Sequence, residues 1–519
     1  MNQAATELET QTIEEVVQGD LHCRGCGRNL SGMQRSSNCP KCGKSVDVSL
    51  SVEQRQLSGK LAGLSLSKQV LILAIWPLME QVLSFLVGFV DTHLAGHLSV
   101  RATNAIAPAS YIQWLVHILQ MSVGIGAAAL IARAVGGKHK RLANAGLGQA
   151  MLLSVVIGLA SGALIYSTAG LVAQLMQVKG QTFEFCVRYL RIISMGAPLS
   201  AVLFVGAASL RAAGDTRTPF IVLAVVNVVN AVSSWIMVWP PDPDLGMGVT
   251  GIALGTAIAW VVGAIIIVVV LVGGWGGIRL RLMRLRPHWH TMKRIIRVAL
   301  ASLAESVGMW GGNFMVMLIV GVVAARETEA LIAAGQAGAE SPSLGAHLIA
   351  IRLEAISYLP GVALGIAAAT LTGQYLGLGD PVRAKKAGRV CFFYGAIVMG
   401  LAGVMFWFIP EILVRLVTDK EPLIDLAPTL LRVCAPVQLM FAAAIVFSNA
   451  MRGAGDTRTT MILTFISVVG IRLPAVYIVA IEMGYGLVGI WFALCGELLV
   501  RGLIFAGRYL HGGWTKVQV

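Results

Sequence analysis

After residue 68 the chain alternates between long apolar runs and short polar breaks almost to its end. Twelve runs lie near 69–97, 105–132, 143–168, 187–210, 218–239, 249–273, 295–324, 346–376, 387–410, 427–450, 460–481 and 486–508. About 20 consecutive apolar residues cover a ~30 Å hydrocarbon core as a helix, so each run is a candidate span. The pattern predicts an all-α integral membrane protein with twelve transmembrane helices. The first sixty residues lack such runs and must be read separately.

The spans divide into two copies of six. Arg211–Ala212–Ala213–Gly214–Asp215–Thr216–Arg217–Thr218 returns 241 residues later as Arg452–Gly453–Ala454–Gly455–Asp456–Thr457–Arg458–Thr459. The same offset aligns Gly124–Ile125–Gly126–Ala127–Ala128–Ala129–Leu130 with Gly365–Ile366–Ala367–Ala368–Ala369–Thr370–Leu371. Upstream, Leu78–Met79–Glu80–Gln81 matches Leu303–Ala304–Glu305–Ser306 at an offset of 225, which puts about 16 extra residues in the second copy, expected in the polar stretch Arg326 to Ser343. With six spans per copy, both copies enter the bilayer from the same side. The expected architecture is two six-helix lobes related by a parallel pseudo-twofold axis, with a cavity between them. The boundaries follow: a disordered tail over 1–20, a metal ribbon over 21–45, a linker or surface helix over 46–67, an N-lobe over 68–275, a basic connection over 276–294 and a C-lobe over 295–510.

Charged side chains inside the hydrocarbon are costly and face the protein interior, so the acids in the spans are functional candidates. Glu80 and Asp91 stand eleven residues apart in the first span, which places both on one helix face about 16 Å apart. Asp91 could instead sit at the water interface. Glu305 is the counterpart of Glu80 in the seventh span. Glu354 is two residues from Arg352, a spacing that sends them to different partners, whereas Glu497 and Arg501 at i, i+4 read as a local ion pair. In the fifth span Asn227 and Asn230, followed by Ser233 and Ser234, offer either interhelical hydrogen bonds or oxygen ligands to a small cation. Pro77, Pro198, Pro360, Pro436 and Pro474 predict kinks.

Composition and charge narrow the function. Hydrophobic residues make up 56% of 519 positions and charged ones 13%, more apolar surface than a soluble fold hides. The net charge of +14 could suggest nucleic acid, but the basic residues gather in short even-numbered connections and in the tail. The positive-inside rule accounts for that distribution and puts both termini in the cytoplasm. No nucleic-acid partner is expected. No phosphate-binding Gly-x-x-x-x-Gly-Lys-Ser/Thr loop, Gly-x-Ser-x-Gly elbow or His-Glu-x-x-His helix occurs, which removes ATP as the expected energy source and leaves a membrane hydrolase without its nucleophile or metal. The chain is not expected to be an enzyme.

Near the amino end, Cys23–Arg24–Gly25–Cys26 and Cys39–Pro40–Lys41–Cys42 show the spacing of a four-thiolate zinc ribbon. A pair of disulfides would need an oxidising compartment, which the topology denies. Four cysteines fill a tetrahedron, so the Zn2+ is structural. The ribbon offers a surface for a cytoplasmic partner. Cys186, Cys391, Cys434 and Cys495 read as buried small apolar residues.

Several of these residues carry a family likeness. Pro77, Val90–Asp91–Thr92 and Gly96, the paired Gly-Asp-Thr-Arg-Thr motifs, Gly373–Gln374–Tyr375–Leu376–Gly377–Leu378–Gly379–Asp380 and Arg472–Leu473–Pro474 resemble the multidrug and toxic compound extrusion (MATE) transporters, in their DNA-damage-inducible bacterial branch, from about Ser67 to Arg508. The resemblance implies a two-lobed antiporter of the bacterial inner (plasma) membrane that exchanges H+ or Na+ for amphipathic, often cationic organic compounds. It implies cation coupling at Asp91, with Asn230 nearby and Glu80 and Glu305 assisting. Ser234 stands where the family pattern has an aspartate, which favours H+ over Na+. The ribbon lies outside that pattern. Two other readings remain at this point: a flippase for lipids or lipid-linked sugars from the same superfamily, and a membrane-anchored interaction protein that works through its ribbon.

Overall fold

The computed structural model describes residues 61–98, 100–175, 180–239, 247–281, 285–336 and 341–517, with residues 23, 28–34, 37–40, 43, 46 and 57 before them; side chains at 85–111, 175 and 181 are not among those described. The expected tail over 1–20 lies outside the described residues. Among the described residues, twelve helices are long and apolar enough to cross a membrane. They are α1 (Leu66–Leu98), α2 (Val100–Gly136), α3 (Lys140–Leu175), α4 (Gly180–Ala212), α5 (Arg217–Val238) and α6 (Val249–Gly273) in the first half. The second half has α7 (Trp289–Ala333), α8 (Ser343–Gly377), α9 (Pro381–Phe408), α10 (Glu421–Gly453), α11 (Thr457–Glu482) and α12 (Gly486–His511).

Most helices extend past their apolar runs, because polar end residues still satisfy the backbone within the helix, whereas α6 coincides with its run. The largest excess is in α7, whose 45 residues reach Ala333. The polar stretch Arg326 to Ser343, where the extra residues of the second copy are expected, is therefore in part helical. Glu327 fixes the extension by accepting hydrogen bonds from the hydroxyls of Ser341 and Ser343, at the start of α8.

The prolines act in two ways. Pro77, Pro198 and Pro360 lie inside continuous helices. Pro436 sits in a 3-10 turn, Ala435–Val437, that interrupts α10. Pro474 follows a π-helical segment, Ile466–Arg472, and a second such segment, Ile478–Glu482, closes α11. Prolines and π-helical segments are both features at which helices bend.

Each half buries its own apolar core, around Leu147, Leu203 and Ile267 in one and Val320, Leu430 and Ile490 in the other. The two halves meet at the end that carries the basic loops. There Val70, Leu73 and Ala74 of α1 pack with Leu371 and Tyr375 of α8, and Leu57 and Leu61 join the same cluster. Helices α2 and α8 also cross closely: a β-carbon on Gly377 would collide with the carbonyl of Arg133, and one on Gly136 with the carbonyl of Gln374. Only glycine permits that approach.

Candidate functional site

The duplicated octapeptide forms the same turn twice. Arg211 ends α4 and Arg452 ends α10; Gly214 (φ 96°) and Gly455 (φ 88°) then take the left-handed conformation that reverses the chain. Asp215 accepts from the Thr218 hydroxyl at 2.7 Å and its backbone N–H at 3.3 Å, securing the first turn of α5. Asp456 accepts from the Thr459 hydroxyl at 2.6 Å and from Arg508 at 3.0 Å. Asp215 thus accepts from a backbone N–H in the first turn of α5, whereas Asp456 is held by side chains alone.

The arginines point into the lobes and meet the matched acids of the first and seventh helices. Arg211 Nη1 donates to both Glu80 oxygens, at 3.1 and 3.2 Å. Arg452 grips Glu305 with two parallel bonds, Nη2 at 2.7 Å and Nε at 3.2 Å, and the hydroxyls of Thr460 and Thr464 donate to the same carboxylate at 2.9 and 2.8 Å. Glu305 is thus satisfied on both oxygens and only 3% exposed, whereas Glu80 keeps 18% of its side-chain surface open. A fork of two charge-assisted bonds is the stronger arrangement. The two acids found by their register therefore each own an arginine from the repeated motif, and the arginines were missed as partners. The available signal was that acid and arginine are both duplicated.

Between the lobes lies a cavity of about 510 Å3, lined by Glu80, Arg211 and His117 from one side and by Asn449, Arg452 and Ile366 from the other. A smaller cavity of about 300 Å3 lies within the first lobe, lined in part by Gln120, Asn230 and Thr256. His117, Phe204, Asn227 and Trp260 line both. Asn230 donates to Thr256 Oγ1 at 2.9 Å, while its own buried Oδ1 has no donor among the described residues. Leaving an amide oxygen unpaired is costly, so the position suits an incoming proton donor or cation. Asp91 lies on α1, which runs unbroken through Glu80 and so keeps the expected spacing; its side chain lies outside the described residues. Glu305 belongs to the other lobe and lines neither cavity.

At the basic end the central cavity is shut. Thr370 Oγ1 donates to the Arg211 carbonyl at 3.2 Å and Gln374 Nε2 to the Ala212 carbonyl at 3.0 Å. The Tyr375 hydroxyl reaches Gln69 Oε1 at 2.7 Å. The stretch Gly373–Asp380 thus supplies both the close glycine crossing and the bonds that join the lobes.

The second lobe contains a buried charge cluster. Glu497 and Arg501 do pair, at 3.3 Å, but the shorter contact of Glu497 is with Arg472, at 2.6 Å, and the Ser467 hydroxyl donates to it as well. The expected local pair is therefore one edge of a network. Arg472 lies at the end of the π-helical segment and also donates to Asn313 Oδ1 at 2.6 Å. Glu354 receives the Cys434 thiol at 3.3 Å, so that cysteine is a donor as well as a buried apolar residue. Cys186, Cys391 and Cys495 are buried as expected.

Of the four ribbon thiols, Cys23 and Cys39 are buried against Leu30 and Val46; Cys26 and Cys42 lie outside the described residues. Cys23 N–H donates to the Arg28 carbonyl at 2.7 Å and Gly43 N–H to the Cys39 carbonyl at 2.8 Å. The four-thiolate assignment from the spacing therefore stays an expectation.

The family model MatE matches residues 77–236 and 302–478, one stretch in each lobe. The chain is 27% identical over 452 residues to the probable multidrug resistance protein NorM of Thermotoga maritima, covering 87% of this chain and 94% of that protein. It is 28% identical to the multidrug resistance protein NorM of Photobacterium profundum, covering 87% and 96%. Among solved structures, an outward-facing conformation of a multidrug resistance MATE family transporter of the MOP superfamily superposes with a TM-score of 0.78 at 20% identity, over 87% of this chain and 97% of that one. A MOP superfamily transporter from Pyrococcus furiosus, described as having a binding pocket of reverse polarity, gives the same TM-score at 19% identity, with the same coverage.

Proposed function

The chain belongs to the MatE family, whose members are multi-pass membrane transporters and not enzymes, and from that premise we propose that it is a cation-coupled antiporter exporting amphipathic, often cationic organic compounds. The observation that carries this reading is the cavity of about 510 Å3 between two duplicated lobes, closed at one end by direct bonds between them. Multidrug relatives cover nearly the whole length of the pair and lend the substrate class. With the basic loops on the cytoplasmic side, at the inner membrane of a bacterium, the closed end faces the cytoplasm and the state is outward-facing.

In this reading Asp91 takes up the coupling ion, and the Asn230 Oδ1, which has no donor among the described residues, helps to hold it in the first lobe. H+ suits the site better than Na+, since the neighbouring helix supplies Ser234 where a second carboxylate would serve a metal ion. Glu80 assists through Arg211, whose backbone carbonyl is bonded by Thr370 across the lobe junction. Glu305 holds Arg452, the matching arginine across the cavity. Coupling requires that the ion bind the two states with different affinity, and a residue bonded to the junction provides that link. The flippase alternative would want a basic cavity for anionic headgroups. Both cavity arginines instead carry their own carboxylates.

The test is efflux of a fluorescent lipophilic cation from proteoliposomes under an imposed pH gradient, with and without a sodium gradient. Proton-driven efflux in the intact protein that Asp91→Asn abolishes supports the assignment. Equal efflux in both proteins removes Asp91 as the coupling residue, and no efflux from either turns the assignment toward a lipid substrate or the ribbon.

A further inference from the structure

The stretch that leads into α1 lies across the junction of the two lobes. Leu57 and Leu61 are buried there, in the apolar cluster that Val70 and Leu73 of α1 form with Leu371 and Tyr375 of α8. Beside Leu61, Ala62 and Gly63 are exposed, and Gly63 (φ 67°) takes the left-handed conformation of a turn, so the stretch runs along the surface while its leucine points inward. Ordering a chain segment costs conformational entropy, which the burial of these leucines offsets.

A single amide ties this stretch to both lobes. Gln69 Nε2, in α1, donates to the carbonyls of Leu61 at 3.1 Å and Leu64 at 3.0 Å. Its Oε1 accepts from the hydroxyl of Tyr375, in α8, at 2.7 Å. The contact extends to α9, since Leu57 and Leu61 share the lining of a cavity of about 270 Å3 with Arg383 and Lys386. Leu61 also reaches the repeated turn of the first lobe. A β-carbon on Gly214 would stand 3.4 Å from Leu61 Cδ1 and 3.3 Å from Gln374 Nε2. That same Gln374 nitrogen makes the interlobe bond to the Ala212 carbonyl at 3.0 Å. The leucine therefore stands beside a bond that shuts the basic end, and apolar cover strengthens a hydrogen bond by lowering the dielectric around it.

We infer that Leu57 and residues 61–65 form a clasp, which holds the basic end closed while it is docked and must leave the junction before that end can open. The inference rests on the two-state reading above. Opening the end carries Gln374 and Tyr375 of the second lobe away from Gly214 and Gln69 of the first. Leu61 lies against both sides and cannot stay with both. The docked stretch thus favours the closed state by the contacts it loses on opening, and it shifts the two populations by that difference and no more.

The experiment uses the full chain in a neutral detergent, with a cysteine at Ala212 as the reporter of opening and one at Ala253, in the core of the first lobe, as the control. Peptide mapping after reaction with a thiol reagent gives the labelling rate at each position apart from the natural cysteines. The rate at Ala212→Cys follows the open population. Leu61→Ala should raise it about tenfold, the scale of losing much of a buried leucine's apolar contact. Leu61→Met, of similar volume, should keep it near the intact value. Labelling at Ala253→Cys should change in neither. An unchanged rate at Ala212→Cys in the Leu61→Ala protein would overturn the inference, and so would an equal rise at Ala253→Cys, which would mark Leu61 as ordinary packing. No substrate or coupling ion enters the measurement, so its result stands whether or not the chain exports cations.

Discussion

The two arginine–glutamate pairs differ in how much each is worth to its lobe. Glu305 is enclosed, doubly bonded by Arg452 and further held by two threonine hydroxyls. Replacing it with alanine leaves Arg452 without its counter-charge, and the expected loss is about 3–5 kcal/mol. Glu80 is more open and its arginine uses a single nitrogen, so Glu80→Ala should cost clearly less. Thermal unfolding of the purified variants checks the order. Equal losses would mean that the extra bonds around Glu305 add nothing. The double change Glu305→Leu with Arg452→Met should recover part of the loss, because it removes both charges from a buried site together. Sequence reasoning reached the acids, since their register marks them, but not their partners. Arg211 is 131 residues from Glu80 and Arg452 is 147 from Glu305. No local spacing rule spans such separations. Arg472 was legible only as part of a recurrent tripeptide; its bond to Glu497 depends on how α11 and α12 pack.

Among the elements, α2 and α8 cross most closely at the basic end. A β-carbon at position 377 would lie about 2.0 Å from the Arg133 carbonyl oxygen, far inside contact distance. Gly377→Ala should therefore push the helices apart at the basic end and break the bonds from Thr370 and Gln374 that close it. The expected result is greater thiol-reagent labelling of a cysteine placed at Ala212, with little change at a site deep in either lobe core. Unchanged labelling would show that the closure does not depend on this crossing. The existence of every span was readable, because a run of about 20 apolar residues has few alternatives in a folded chain. Most of their ends were not, as polar residues continue a helix, although the bounds of α6 match its apolar run. The π-helical segments of α11 were not readable either, since they answer to Pro474 and to the pull of Arg472 toward Glu497.

For the molecule as a whole, the duplication made two lobes and a cavity foreseeable, while the contents of the cavity needed the packing. The ribbon stands apart from this plan, since the family match begins at residue 77. If it carries one zinc ion per chain, Cys39→Ser should release that metal, as measured by elemental analysis of the purified protein. The unfolding temperature of the lobes should stay where it was. Retention of zinc would disprove the four-thiolate assignment, and a fall in the main unfolding transition would tie the ribbon to the transporter body. The linker gives a reason to look, because Leu57 and Leu61 are already docked onto the second lobe.

Helix α7 has one practical consequence. At about 1.5 Å per residue its 45 residues span roughly 68 Å, more than twice a ~30 Å hydrocarbon core, and its far end is clamped to the start of α8 through Glu327. A helix of that length is expected to reach past the lipid on the face opposite the basic loops. It offers an epitope that an antibody fragment could grip without touching the lobe junction, adding mass for imaging while leaving the transporter free to change state.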